Sequence, residues 1–271
     1  VGGRVVISGG HASGGVGGDA LVTSGGSTIG ASGGVTVTTA DGGVEGGSGI
    51  ASVGTGKAMV GRSGNVRLYT GAAETARAGS IDMSVGPSGV GIGGHVRVHA
   101  GSTQDLQAGG SVSIVSGAGR QTDSGTVDIA SAPSGPAGAS GNLNLHTGAT
   151  QLGVAGSVNI RTGESVGSGG AVNIGAGPAA GGPGGAVMLS GGDSTAAAQQ
   201  GGAVHIHAGD GLNNDDDNGG SGGDLVLGAG DSSGRSRKNF GGSVVVSGGS
   251  ADAGLGGSVR ISSGASSRGS S

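Results

Sequence analysis

An eight-residue pattern that recurs along the whole chain constrains its fold more than any other feature. Its clearest copy is residues 242–249 (GSVVVSGG), which follow the plan Gly-x-φ-x-φ-x-(small)-(Gly/Ala), where φ is aliphatic. Side chains two residues apart share one side of an extended chain, so this alternation predicts a β-strand rather than a helix. Seventeen such repeats begin at Gly3, Gly18, Gly33, Gly49, Gly64, Gly79, Gly94, Gly110, Gly125, Gly141, Gly156, Gly170, Gly185, Gly202, Gly223, Gly242 and Gly257.

The apolar positions of the repeat predict where a core would lie. The third position is aliphatic except at Ala20 and Ala51, and the seventh is almost always Gly, Ala, Ser or Thr, as expected at a crowded corner. The fifth position is large and apolar in every repeat, which predicts a buried ladder. Its members are Ile7, Val22, Val37, Val53, Leu68, Met83, Val98, Ile114, Ile129, Leu145, Ile160, Ile174, Leu189, Ile206, Leu227, Val246 and Ile261.

Repeats whose like positions stack predict an all-β fold, a parallel β-solenoid that forms one domain over residues 1–271. Six of the eight odd-numbered linkers between repeats differ from seven residues in length, against one of the eight even-numbered linkers. This alternation predicts two strands, about 31 residues, per coil, with the even linkers tight and partly buried. One repeat per coil is the alternative, because it would stack Arg67, Asp82 and Arg97 as neighbours of opposite charge. The even linkers carry the aliphatic residues Ile29, Val60, Val90, Ile92, Leu152, Val154 and Leu255.

Two longer loops interrupt the spacing, at residues 210–222 and 231–241. The first is acidic and the second (DSSGRSRKNFG) is basic. Opposite charges of this kind would attract one another or a neighbouring chain.

Composition excludes several classes of protein. The 73 Gly among 271 residues are typical of disordered chains. Disordered Gly/Ser-rich chains, however, lack aliphatic residues at fixed positions, and collagen requires Gly at every third residue. The net charge of −4 provides no basic stripe for nucleic acid, and no apolar run approaches the roughly 20 residues of a membrane span. There is no Cys and no Asn-x-Ser/Thr site, whereas the many Ser and Thr leave O-linked glycan open.

The short motifs of the chain do not predict a ligand site. Gly89, Gly91 and Gly94 fit G-x-G-x-x-G, but chance matches are frequent in so Gly-rich a chain and no helix follows. Residues 14–22 and 219–227 fit the calcium-roll repeat, yet they are not consecutive, and the roll would bury Val226 where this repeat buries Leu225 and Leu227.

Two clusters resemble metal sites but lack ligands. The tract 213–218 could hold a hard cation through Asp215 and Asp217, but it lacks the spacing and closing Glu of an EF-hand. His205 and His207 share an outward face, with Asp210 just beyond. A metal needs a third or fourth ligand, but the stacked positions hold only Asn173 and Val245 with two repeats per coil, or Met188 and Val226 with one. We therefore predict no catalytic, cofactor-binding or metal-binding residues and no enzymatic activity.

The stretches GGSVVVSGG, GGSVRISSG, GGAVNIGAG and GGAVMLSGG, with their G-x-G-G spacers, resemble the Gly/Ser-rich repeats of very large surface or secreted proteins of algae and other stramenopiles. Similar proteins have been linked to flagellar hairs and extracellular fibrils. The resemblance implies an extracellular or cell-surface structural subunit of a filament or appendage, with copies of itself or similar chains as partners. An adhesin, or a carbohydrate- or ice-binding β-solenoid module, is the alternative.

The two ends of the sequence predict how copies would join. The chain begins in mid-pattern, which suggests a processed protein or a fragment of a longer array, and residues 257–264 form a full repeat followed by seven residues. Neither end carries a capping element, so we expect end-to-end stacking of coils into a filament.

Overall fold

The structure is a computed structural model that describes residues 2–215 and 217–266. Val1, Asp216 and residues 267–271 lie outside the described residues. Most of the seven-residue tail that follows the last repeat, from which end-to-end stacking is predicted, is therefore not described. The chain divides into two parts, Val1–Ile129 and Ala130–Ser271. The local organisation of each is described in turn.

The described residues of both parts contain neither an α-helix nor a β-strand. The predicted all-β, parallel β-solenoid is therefore wrong, both with two strands per coil and with one. A strand exists only where a neighbouring segment continues a ladder of N–H···O=C bonds. The backbone bonds of the described residues are isolated, and they close turns and loops instead of forming a ladder.

Straight segments and sharp bends alternate along the chain. Among the described residues, each of the sixteen predicted linkers contains one bend. The bends of the first part lie at residues 13–15, 28–30, 44–45, 59–61, 74–76, 89–92, 104–107 and 120–122. Those of the second part lie at 136–138, 151–153, 166–168, 180–182, 196–198, 217–218, 236–238 and 252–254.

A single backbone hydrogen bond closes many of the loops at their base. The first-position N–H of one repeat donates to the eighth-position carbonyl oxygen of the repeat before it, as from Gly33 to Gly25 at 2.9 Å and from Gly257 to Gly249 at 2.8 Å. Among the described residues no second bond follows along the two segments. The segments therefore leave each loop as neighbours at their ends but do not pair along their length.

Backbone carbonyls and side-chain hydroxyls both close turns within the linkers. A backbone bond from residue i+3 to residue i closes a turn within four odd-numbered linkers, at 43–46, 135–138, 196–199 and 236–239. In even-numbered linkers a hydroxyl can take that role, as when Ser27 Oγ accepts the Gly30 N–H at 2.8 Å and Thr150 Oγ1 accepts the Gly153 N–H at 3.1 Å. Hydroxyls also accept backbone N–H groups in odd-numbered linkers, as Thr103 Oγ1 accepts that of Asp105 at 3.1 Å, so the kind of turn does not separate the two sets of linkers.

The base of each loop explains the small residues at its two ends. A Cβ added to first-position Gly185 would lie 3.0 Å from the Cβ of seventh-position Ala176. At Gly64 it would lie 3.2 Å from Thr55 Cγ2. Contacts this short leave little room for a side chain at the first position, which is Gly in every repeat; Val85, the seventh-position neighbour of Gly94, shows that the other partner is not always small. The crowding expected at the seventh position is present, and the first residue of the next repeat is its cause.

The described residues enclose no core. Fifth-position side chains are 55–90% exposed, and the large third-position side chains after Val5 are 47–63% exposed. The predicted buried ladder of fifth-position residues is therefore wrong. The even linkers are not partly buried either, since Ile29 and Leu152 are fully exposed. Without paired segments there is no second layer to cover either set of side chains.

Candidate interaction surface

Side chains two residues apart share one side of each straight segment. The rings of His205 and His207 stack with their centroids 6.4 Å apart and their planes at 24°. Two residues of extended chain advance by about 6.6–6.8 Å, which matches this distance. Asn159 Nδ2 likewise donates to Ser157 Oγ, two residues away, at 3.2 Å. The alternation predicted from the sequence is therefore present within a segment, although the segment has no partner strand.

Each segment presents an aliphatic face, which we define as its third-position and fifth-position side chains. In residues 242–249 these are Val244 and Val246, 56% and 64% exposed, while Val245 between them is 81% exposed. The aliphatic face is thus the better covered of the two sides, but more than half of it still meets water. The same face recurs in every repeat, with fifth-position side chains 55–90% exposed.

The total exposed surface shows how open the chain is. Its solvent-accessible area is 26786 Å², for a mass of 24.5 kDa. Folded monomers of that mass expose about 10,000 Å². The chain therefore exposes about 2.7 times the surface of a typical folded monomer of its size.

The acidic loop, residues 210–222, is built around one carboxylate. Asp215 Oδ1 accepts the backbone N–H groups of Asp217 and Asn218, both at 3.0 Å. These two bonds, that from Asn218 first, hold the pKa of the Asp215 carboxyl below its ordinary value, because they favour the ionised form. Asn213 accepts the N–H of Asp215 through Oδ1 at 3.0 Å and that of Gly220 through its carbonyl oxygen at 2.9 Å. The loop thus holds its shape through its own groups.

The basic loop, residues 231–241, turns at Ser236. The Ser236 carbonyl oxygen accepts the Asn239 N–H at 3.0 Å, and its hydroxyl accepts the Lys238 N–H at 3.2 Å. Arg235, Arg237 and Lys238 are all exposed. The loop therefore presents three cationic groups around one tight turn.

The remaining candidates from the sequence stay apart from one another. Across the described ranges, no three His, Cys, Asp or Glu side chains come close enough to hold a metal ion. Gly91, with φ of +82°, lies in the bend at 89–92, and no helix follows it. The segments 14–22 and 219–227, which fit the calcium-roll repeat, lie in different parts of the chain.

The structure adds two features that the sequence reasoning missed. The aliphatic residues of the linkers are exposed, although their apolar character suggested burial. The acidic and basic loops leave from opposite ends of one segment, residues 223–230. The signal for the second was present in the sequence, since the two charged linkers flank a single repeat.

The described residues contain no helix that is long and apolar enough to cross a membrane. The described residues also enclose no pocket. Comparisons with the known protein families, with curated proteins and with solved structures give no match.

Proposed function

We propose that the chain is a structural protein that works by associating with copies of itself or with similar repeat chains into an extracellular filament. The observation that carries the proposal is the exposure of the aliphatic faces, with fifth-position side chains 55–90% exposed. Apolar patches larger than a few hundred Å² are rare on soluble monomers and mark surfaces that meet another molecule. The extracellular location rests on the resemblance of the repeats to those of algal surface and fibril proteins.

The repetition of one pattern supports a partner of the same kind. A surface that fits one aliphatic face fits the others, because the spacing of apolar positions is the same in all seventeen repeats. The backbone of each straight segment also has open N–H and C=O groups, which are a template for pairing with another extended chain. A second copy supplies both an apolar face and a backbone of matching period.

The area available is large enough for such contacts many times over. A stable interface buries about 1,200–2,000 Å² in total. The chain exposes roughly 17,000 Å² more than a folded monomer of equal mass. Association along several segments at once would multiply the contacts made by one segment and would extend the assembly beyond a pair.

The test is sedimentation velocity over a wide range of concentration, followed by electron microscopy of the fastest species. We expect the mean sedimentation coefficient to rise with concentration and elongated particles to accumulate. Infrared spectra of the same samples should show a growing extended-chain amide band as backbone groups pair between copies. A single species of 24.5 kDa at every concentration would refute the proposal.

A further inference from the structure

The acidic and basic loops carry opposite charge next to one another in the sequence. The acidic loop contains four Asp, of which Asp210, Asp215 and Asp217 are described, and no Lys or Arg. The basic loop contains Arg235, Arg237 and Lys238 with one Asp. These two loops are also the longest of the sixteen linkers.

The structure holds the two loops apart. The Gly223 N–H donates to the Gly209 carbonyl oxygen at 2.9 Å and closes the acidic loop, and the Gly242 N–H donates to the Gly230 carbonyl oxygen at 2.9 Å and closes the basic loop. Residues 223–230 run straight between them. Seven residue steps of extended chain span about 23 Å. At that distance exposed charges are largely screened from one another, so the acidic and basic loops of one copy do not neutralise each other.

We propose that residues 223–230 pair antiparallel with the same residues of a second copy, which places the acidic loop of each copy against the basic loop of the other. The proposal rests on the self-association proposed above and assigns its direction at this segment. A two-fold axis through the middle of the segment satisfies both charge contacts at once. A parallel, in-register pair would instead bring acidic loop against acidic loop and basic loop against basic loop.

The segment itself fits this arrangement. Leu225, Val226 and Leu227 are 54%, 83% and 68% exposed, so either side of the segment can lie on an apolar neighbour. Asp224 stands at the acidic end and would approach the basic loop of the second copy. The apolar contact supplies the attraction, and the charges select the direction.

Cysteine cross-linking tests whether the two copies pair antiparallel. The chain has no Cys, so single substitutions carry the only thiol. Antiparallel pairing of residue 223 with residue 230 sets Ser221 opposite Ser232. We expect a mixture of Ser221→Cys and Ser232→Cys chains to give a cross-linked dimer under mild oxidation, and each variant alone to give little. Efficient cross-linking of Ser221→Cys with itself would overturn the proposal.

Charge reversal tests the cause. One variant reverses the basic loop, and the other reverses acidic residues but keeps the Asp215 carboxylate that shapes its loop. We expect each reversal to lower the yield of the mixed cross-link about fivefold or more, and both reversals in one chain to restore it, since the contacts are again between opposite charges. The two variants are R235E/R237E/K238E and D210K/D216K/D217K/D224K.

Failure here is distinguishable from failure of the proposed function. If the chains associate in sedimentation but cross-link without regard to direction, the assigned direction is wrong and self-association stands. If no association occurs at any concentration, both are wrong. A yield that is insensitive to both charge reversals would overturn the role of the loops.

Discussion

Replacing Ile160 with Asp should weaken assembly and leave the separated chain unchanged. Ile160 is 67% exposed. Complete burial of an isoleucine is worth about 1.5–3 kcal/mol, so about 1–2 kcal/mol remains to be gained when another copy covers this side chain. Asp forfeits that gain and adds the cost of moving a carboxylate out of water. We expect the concentration at which assembly begins to rise by about tenfold or more.

Asn159→Asp is the matched control, because it adds the same charge one residue away on the other side of the segment. Asn159 makes one exposed hydrogen bond, from Nδ2 to Ser157 Oγ. An exposed site of this kind tolerates substitution within about 0.5 kcal/mol, so the onset of assembly should shift by about twofold or less.

The assay is light scattering against concentration, with circular dichroism of each variant at a concentration below the onset. The buried-ladder interpretation of the sequence made Ile160 a core residue whose loss would damage the single chain. The structure predicts instead that the dilute spectra of both variants match that of the parent chain. Equal shifts in onset for the two variants, or a change in the dilute spectrum confined to Ile160→Asp, would refute this reasoning.

Two further predictions concern the loops. Gly185→Ala should weaken the loop closure, because the added Cβ would lie 3.0 Å from the Ala176 side chain. Gly184→Ala is the control, since its added Cβ would have nothing within 4 Å. Amide hydrogen exchange at residue 185 should be faster in the first variant alone, and equal exchange in the two variants would contradict the prediction. The hydrogen bonds from Asn218 and Asp217 lower the pKa of Asp215, so they stabilise the loop fully above the ordinary carboxyl pKa of 3.8 and are lost as the pH falls through the lowered value. The amide chemical shifts of these two residues should titrate there in the parent chain and stay flat in Asp215→Asn, and identical titrations would contradict the assignment.

The local organisation could be predicted from the sequence. The bends of the described residues fall between the repeats, where Gly, Pro, Ser, Asn and Asp favour turns. The alternation correctly predicts that residues two apart share a side, as His205 and His207 do. The small residues at the seventh position predict close contact, which the structure places against the next first-position Gly.

The charged loops illustrate what the sequence left open. Their composition shows opposite charge, but their distance depends on how the segment between them runs. The straight course of residues 223–230, with a closing bond at Gly223 and another at Gly242, sets the bases of the two loops about 23 Å apart.

The sequence by itself determined which residues bend, which are extended and which share a face, because these follow from the local chemistry of a few neighbouring residues. Only the tertiary structure decided whether the extended segments pair. A period of two specifies the face of a segment but not the partner whose hydrogen bonds turn it into a strand, and the same pattern suits a neighbour in the same chain or in another copy. Within the described ranges, the bond that closes the base of many loops is not followed by a second, so Ile160 and the other fifth-position residues remain on the surface.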